Sequence, residues 1–300
     1  MTKVDLANPH DKKKPSPFYP EHLADLKTSG ITVETSMQAG LRSVSGDELA
    51  ELLGFSLPVG TSGLLFPYDE DFFRIKLFPV LTGNESTMKY AQRKASGVRL
   101  YVPPNTRRVL KDPTVQLFIA EGEKKSLKAD QENIPCIGIG GLWNWRQEGQ
   151  PIADLDNIAW VERPVTIVPD SDIWSRQDLM QAVFALGTEL ENRGAKVSVC
   201  IIPQTDNEKL GFDDFLVANG RDSFDTLKPI SLKHKCFSAT RKWHKEWVNN
   251  KENHESPPEA IQLLESIKQT THIHPAQDFV NGLFWYGVPA GDHILLINSE

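Results

Sequence analysis

The chain reads as an α/β protein, a parallel sheet flanked by helices, preceded by a small helical and basic β-rich (α+β) subdomain. Three observations predict this. Between residues 115 and 220, short apolar runs bounded by Gly or Pro alternate with stretches of helical period, the rhythm of βαβ units. Between Gly63 and Val102, apolar runs separated by Gly, Asn and Pro follow one another without helical spacing, as hairpin strands do. Hydrophobic residues make up 39% of 300 positions, enough to bury a substantial core.

The first 17 residues, rich in Lys and Pro, read as a disordered tail. Residues 18–112 form the helical and basic β-rich subdomain. Leu23 and Leu26 suit a helix stopped by Gly30, and Ser45-Gly-Asp-Glu48 with Leu49, Leu52 and Leu53 suits another stopped by Gly54. The runs GLLFPY, FFRIKLF and VRLYVP are its strands. Residues 113–222 carry the α/β rhythm. Strands are expected at Val115–Ala120, Ile134–Ile139, Pro164–Pro169 and Lys196–Ile202, with helices at 123–131 and 176–193 and a short one at 212–218 before Gly220. Residues 223–300 form a C-terminal region with a linker at 249–258, a helix at 259–268 and a final strand at 294–297.

Three strand ends carry the chemistry. The first closes in Ala120-Glu121-Gly122-Glu123, the second in Gly140-Gly141, and the third in Pro169-Asp170-Ser171-Asp172. Parallel strands deliver their C-terminal ends to one edge, so Glu121, Asp170 and Asp172 are expected to converge. An Asp-x-Asp after a buried strand suits a hard divalent cation. Read singly, each acid has a plainer role as a helix cap or solvated turn residue, Asp172 as the cap of the helix near Arg176, and Lys124-Lys125 read as an exposed helix start.

Strand-E-G, strand-G-G, strand-D-x-D in about a hundred residues resembles the Toprim domain of DnaG-type primases, topoisomerases and some nucleases. Lys209-Leu-Gly-Phe-Asp213-Asp214-Phe-Leu resembles the G-x-D-D segment that closes Toprim-like domains of plasmid, phage and mobile-element replication proteins. Gly63 through Val102 is similar to the basic β-rich subdomain that precedes Toprim in primases. The resemblance implies Glu121, Asp170 and Asp172 as catalytic and Mg²⁺- or Mn²⁺-binding residues, with Asp213 and Asp214 extending the metal cluster. Lys209 would contact phosphate, or would simply be a solvated loop lysine. The Cys/His zinc ribbon of many bacterial primases has no counterpart: Cys136, Cys200 and Cys236 are scattered without a C-x-x-C pair.

The net charge of −7 hides an uneven distribution. Residues 74–111 hold nine Lys/Arg against Glu85 alone, a charge of +8, and residues 228–251 contribute +6. The first stretch, with Arg74, Lys76, Lys89, Arg93 and Lys94, is the candidate nucleotide- or DNA-binding surface, where Tyr90 or Tyr101 would stack on a base. The second, with Trp243 and Trp247 at i,i+4 spacing, reads as an amphipathic helix packing on the body. Trp143 and Trp145 follow the Gly-Gly turn and would shape a nucleotide pocket or pack in the core. His272-x-His274 lacks further ligand spacing and reads as a turn.

The function these features imply is a Mg²⁺-dependent nucleotidyltransferase of primase type. It would act on a single-stranded DNA template with nucleoside triphosphates during replication of a plasmid, phage or mobile element, with a helicase in cis or in trans as a further partner. No phosphate-loop motif is present, although residues 279–297 resemble the lead-in to a helicase domain, as in the N-terminal part of a longer primase-helicase. The alternatives are a Toprim nuclease, or a catalytically degenerate Toprim that binds DNA or docks a partner. A haloacid-dehalogenase-like phosphatase ranks last, because Ile173-Trp174 follows the Asp pair. No run reaches the ~18 apolar residues of a spanning helix, and the first residues lack an apolar signal core. A cytoplasmic protein with no membrane partner is expected.

Overall fold

A computed structural model describes residues 17–83, 87–203, 209–253, 285–290 and 293–298. The chain forms two compact units, 1–234 and 235–300.

The first unit opens with α1 (Pro20–Thr28), α2 (Val33–Gln38), β1 (Arg42–Ser45) and α3 (Gly46–Leu53), followed by β2 (Ser62–Pro67), β3 (Phe73–Thr82) and β4 (Thr87–Ala91). The strands make one antiparallel sheet in the order β1-β2-β3-β4. Successive side chains of a strand face opposite ways, and β2 shows the consequence. Leu64 and Phe66 join Leu26, Ile31, Leu41 and Leu127 on one face, whereas Leu65 joins Leu49, Leu53, Ile75 and Leu77 on the other. Both faces are covered, so β2 reads as a continuous apolar run. Gly54, at φ 75°, ends α3 in the left-handed conformation that favours glycine.

The second sheet is built from β5 (Leu100–Tyr101), β6 (Leu117–Glu121), β7 (Cys136–Ile139), β10 (Pro164–Val168), β11 (Lys196–Val199) and β12 (Ile230–Ser231). Between them lie α4 (Pro104–Arg107), α5 (Glu123–Gln131), the small hairpin β8 (Arg146–Gln147) and β9 (Gln150–Pro151), α6 (Gln177–Asn192) and α7 (Phe212–Asp225). The strand order is β12-β11-β10-β6-β7-β5. The central four strands are parallel, as expected, but β5 and β12 pair antiparallel at the two edges. An edge can accept such a strand because no crossover helix is needed to reach it.

The run VRLYVP therefore does not extend the upstream sheet: Leu100 and Tyr101 pair with Ile139 and Gly138 of β7. The sheet thus crosses the division expected at residue 112, and both regions lie in one compact unit. Tyr101 is 2% exposed, with its ring edge-on to Phe66 and Tyr68. It is a core residue, and the expectation that it stacks on a base is corrected. Arg163 is also wholly buried and donates hydrogen bonds to the carbonyls of Val109, Leu110, Val115 and Ala159. That side chain ties the loop before β6 to the start of β10.

The second unit contains α8 (Ser238–Asn253) and the antiparallel hairpin β13 (Trp285–Ala290) and β14 (His293–Asn298). The helix expected over the second basic stretch is present, with the Trp243 and Trp247 rings stacked 5.6 Å apart. It runs into the expected linker as far as Asn253. The N-terminal tail to residue 16, the helix expected at 259–268, and His272 and His274 lie outside the described residues. Among the described residues no helix is long and apolar enough to cross a membrane.

Candidate functional site

The strand order brings the three acidic or glycine-rich strand ends to one edge. Glu121 is the last residue of β6 and sits opposite Ile139 of β7, while Val168 of β10 sits opposite Ala120. Gly122 follows at φ 98°, and α5 starts immediately after it. Two glycines of the second strand permit close approach there. A Cβ on Gly138 would lie 2.7 Å from the Gly122 carbonyl oxygen, and one on Gly140 would lie 2.3 Å from Nη1 of Arg74. Gly140 is small because a guanidinium passes over the end of β7.

Asp170 leaves β10 and is 3% exposed. Its Oδ1 and Oδ2 lie 2.6 and 2.7 Å from Nζ of Lys125, and Oδ2 lies 2.9 Å from Nζ of Lys209. Asp172 Oδ2 is 3.5 Å from the same Lys209 ammonium. Asp172 Oδ1 is buried without a hydrogen-bond partner. No side chain caps α6, so the plainer reading of Asp172 as its cap does not hold. Ser171, between the two acids, donates its N–H to the Leu210 carbonyl at 3.0 Å and accepts from the Leu210 N–H at 2.8 Å. This two-way bond fastens the Lys209-Leu-Gly segment to the Asp-x-Asp turn.

Burial raises the pKa of Glu121; Lys125 and Lys209 oppose that, while Asp170 and Asp172 add to it. Partial burial lowers the pKa of Lys209, but Asp170 and Asp172 outweigh it and hold the ammonium above the usual lysine range. Asp213, 5% exposed, sits in the first turn of α7. Asp214 is engaged elsewhere: its Oδ2 accepts the Gly211 N–H at 2.9 Å, closing the N-terminus of α7.

The expected five-carboxylate cluster of Glu121, Asp170, Asp172, Asp213 and Asp214 is therefore not gathered. Among the described residues no three His, Cys, Asp or Glu side chains are grouped to hold a metal ion. The donors that do fit are Asp170 and Asp172. Hard carboxylate oxygens, two of which, Asp170 Oδ1 and Asp172 Oδ1, are buried without a hydrogen-bond partner, suit Mg²⁺ or Mn²⁺, and Mg²⁺ takes one or two carboxylates and completes its shell with water and phosphate.

The basic residues divide into two groups. Arg74 and Lys76 are engaged in ion pairs within the fold. Arg74 donates to Glu123 Oε1 at 2.8 Å and lies 4.8 Å from the centre of the Tyr90 ring. Lys76 is 6% exposed and pairs with Asp25 at 2.5 Å. Lys89, Arg93 and Lys94 are exposed, with Arg93 lying over Phe73 and Lys94 over Phe55. Trp145 is buried in the core, whereas Trp143 is half-buried with Arg146 4.2 Å over its ring.

The residues that sequence reading missed are those after Glu121-Gly122. Glu123, 1% exposed, accepts the Tyr68 hydroxyl at 2.7 Å as well as Arg74. Lys124 pairs with Asp25 at 3.2 Å, and Lys125 holds Asp170. The expected exposed helix start is instead a junction: three consecutive side chains reach the upstream sheet, α1 and the Asp-x-Asp turn. An uninterrupted Glu-Lys-Lys directly after the strand-turn was the available signal.

A family model described as a domain of unknown function, DUF3854, matches residues 107–223. No curated protein matches the chain. Among solved structures, the RNA polymerase domain of Mycobacterium tuberculosis primase DnaG is similar over 83% of this chain and 91% of its own, at 12% identity and a TM-score of 0.50. A DNA primase domain from Pseudomonas aeruginosa matches over 70% of this chain and 72% of its own, at 15% identity and a TM-score of 0.48. A DnaG primase catalytic domain bound to single-stranded DNA matches over 72% and 74%, at 13% identity and a TM-score of 0.47. The Mycobacterium tuberculosis likeness covers 83% of the chain, and the fold of the chain is that of a DnaG primase core.

Proposed function

We propose that the chain is a Mg²⁺-dependent nucleotidyltransferase of primase type, synthesising short primers on single-stranded DNA. A plasmid, phage or mobile element is the proposed setting, on the resemblance of its G-x-D-D segment. The observation that carries the reading is the convergence of Glu121 and the Asp170–Asp172 turn at the C-terminal ends of neighbouring parallel strands, in a primase-core fold. When bound by Asp170 and Asp172, Mg²⁺ or Mn²⁺ would neutralise phosphate charge and polarise the attacked phosphorus. Glu121 is suited to hold or accept a proton, because burial raises its pKa above the ordinary glutamate value. The exposed Lys89, Arg93 and Lys94 supply the phosphate contacts for a template strand, with nucleoside triphosphates as the second substrate.

The deciding experiment is primer synthesis on single-stranded template with labelled nucleotides and Mg²⁺, comparing wild type with Asp170→Ala. Loss of product in the variant is expected, and equal product in both would falsify the assignment. A second reading, a binding module without catalysis, is favoured by the ion pairs of Asp170 with two lysine ammonium groups. In that case neither protein makes primer and DNA binding survives Asp170→Ala. In either reading Arg93→Ala with Lys94→Ala weakens binding and flattens its log–log salt dependence by about 1.4, at roughly 0.7 per lost contact on single strands.

A further inference from the structure

The pairing of Asp170 with Lys125 is unusual for a carboxylate placed to receive a cation. Asp170 is almost fully buried, and a buried carboxylate is costly unless a positive partner meets it. Lys125 meets both of its oxygens, at 2.6 and 2.7 Å, leaving Lys209 to share one of them from the more exposed side. The Lys125 stem is confined as well. A Cβ on Gly211 would lie 2.8 Å from its Cε, so the ammonium is threaded between the Gly211 backbone and the Asp-x-Asp turn. Lys125 also stands in the first turn of the nine-residue α5, where the positive end of the helix adds to its charge.

A divalent cation on Asp170 would meet the same two oxygens that Lys125 now contacts, Oδ2 through a hydrogen bond and Oδ1 through charge alone. Once displaced, the confined ammonium still lies at the edge shared with Glu121 and Asp172 and requires an anion. We propose that Lys125 is a phosphate-binding residue held in reserve by Asp170: it stands in for the divalent cation in the empty site, and in the loaded site it binds the phosphates of a nucleoside triphosphate. The nucleotide half rests on the function proposed above, and the cation half, which that function shares, rests on the fit of the Asp170 and Asp172 carboxylates to a hard divalent cation.

The test uses the full chain and two binding measurements, with Mn²⁺ alone followed by electron paramagnetic resonance and a fluorescent ATP analogue in saturating Mn²⁺. Lys125→Gln should bind Mn²⁺ roughly tenfold tighter than wild type, because a competing charge in direct contact is removed. It should bind the analogue about tenfold more weakly, and Lys125→Arg should restore analogue binding. Unchanged Mn²⁺ affinity in Lys125→Gln, unchanged analogue affinity, or no Mn²⁺ binding by either protein overturns the proposal. Should Lys125→Gln fail to fold, Mg²⁺ titration of the wild type followed on lysine Nζ resonances reads the same displacement. A Lys125 signal that moves with Mg²⁺ supports it, and one that stays fixed overturns it. Primer synthesis enters neither measurement. A protein that binds as stated but makes no primer refutes the proposed function and leaves this inference standing.

Discussion

Glu123→Ala should be among the most damaging single substitutions in the chain. The carboxylate is 1% exposed and satisfies two groups from the upstream sheet, the Arg74 guanidinium at 2.8 Å and the Tyr68 hydroxyl at 2.7 Å. Removing one partner of a buried ion pair costs about 3–5 kcal/mol, and leaving a buried hydroxyl without its acceptor costs about 1–3 kcal/mol. The sum is an upper bound. Arg74 keeps 16% exposure and the Tyr90 ring 4.8 Å away, so part of the guanidinium penalty is recovered. About 4 kcal/mol is expected for Glu123→Ala, and about 2 kcal/mol for Glu123→Gln, which retains an acceptor. Urea unfolding reads this directly, using the fluorescence of the buried Trp145 and Trp160. The double variant Arg74→Met with Glu123→Gln should lose less than the sum of its parts, because the orphaned charge is gone. A Glu123→Ala protein within about 0.5 kcal/mol of wild type would refute the reasoning.

Two further outcomes follow from the same junction. Burial lowers the Lys76 pKa to about 8, with Asp25 opposing the shift. Its folded value lies below its unfolded one, so this residue's contribution to stability grows as pH rises from about 8 to 10.5 and is lost as pH falls back through 8. After allowance for solvent screening, about 2 kcal/mol should separate the two ends of that window. Lys76→Met should abolish the rise in a urea series, while Asp25→Asn, which strands both Lys76 and Lys124, costs about 3 kcal/mol at neutral pH; a rise persisting in Lys76→Met would sink the assignment. Gly138→Ala should lower stability by about 1–3 kcal/mol. Its Cβ meets Ser126 Oγ at 2.6 Å and the Gly122 carbonyl at 2.7 Å. Adding Ser126→Gly should recover little, since the backbone contact remains, and full rescue would contradict it.

Local pattern was sufficient for the elements that obey one period. The apolar runs mark β2, β6, β7 and β10, the helix stops at Gly30 and Gly54 lie one or two residues past the ends of α1 and α3, and α5 spans the residues that its spacing implied. The capping role of Asp214 was also present in Gly211-Phe-Asp-Asp, as an acid three residues into a helix. By contrast, β5 and β12 are two-residue strands whose pairing depends on which sheet edge lies open, and nothing in so short a segment states that.

By itself, then, the sequence determined the α/β order, and with it the delivery of Glu121, Asp170 and Asp172 to one sheet edge, because parallel strands align their C-terminal ends. Tertiary structure alone decided what those acids face. Lys124 finds Asp25 at a separation of 99 residues, Lys125 finds Asp170 at 45, and Glu123 finds Arg74 at 49. A charge near a helix start carries no record of its partner. Only the closure of α5 against α1, the upstream sheet and the Asp-x-Asp turn converted three polar residues into buried or part-buried ion pairs, in a setting of lowered dielectric where an unpaired charge is costly to keep.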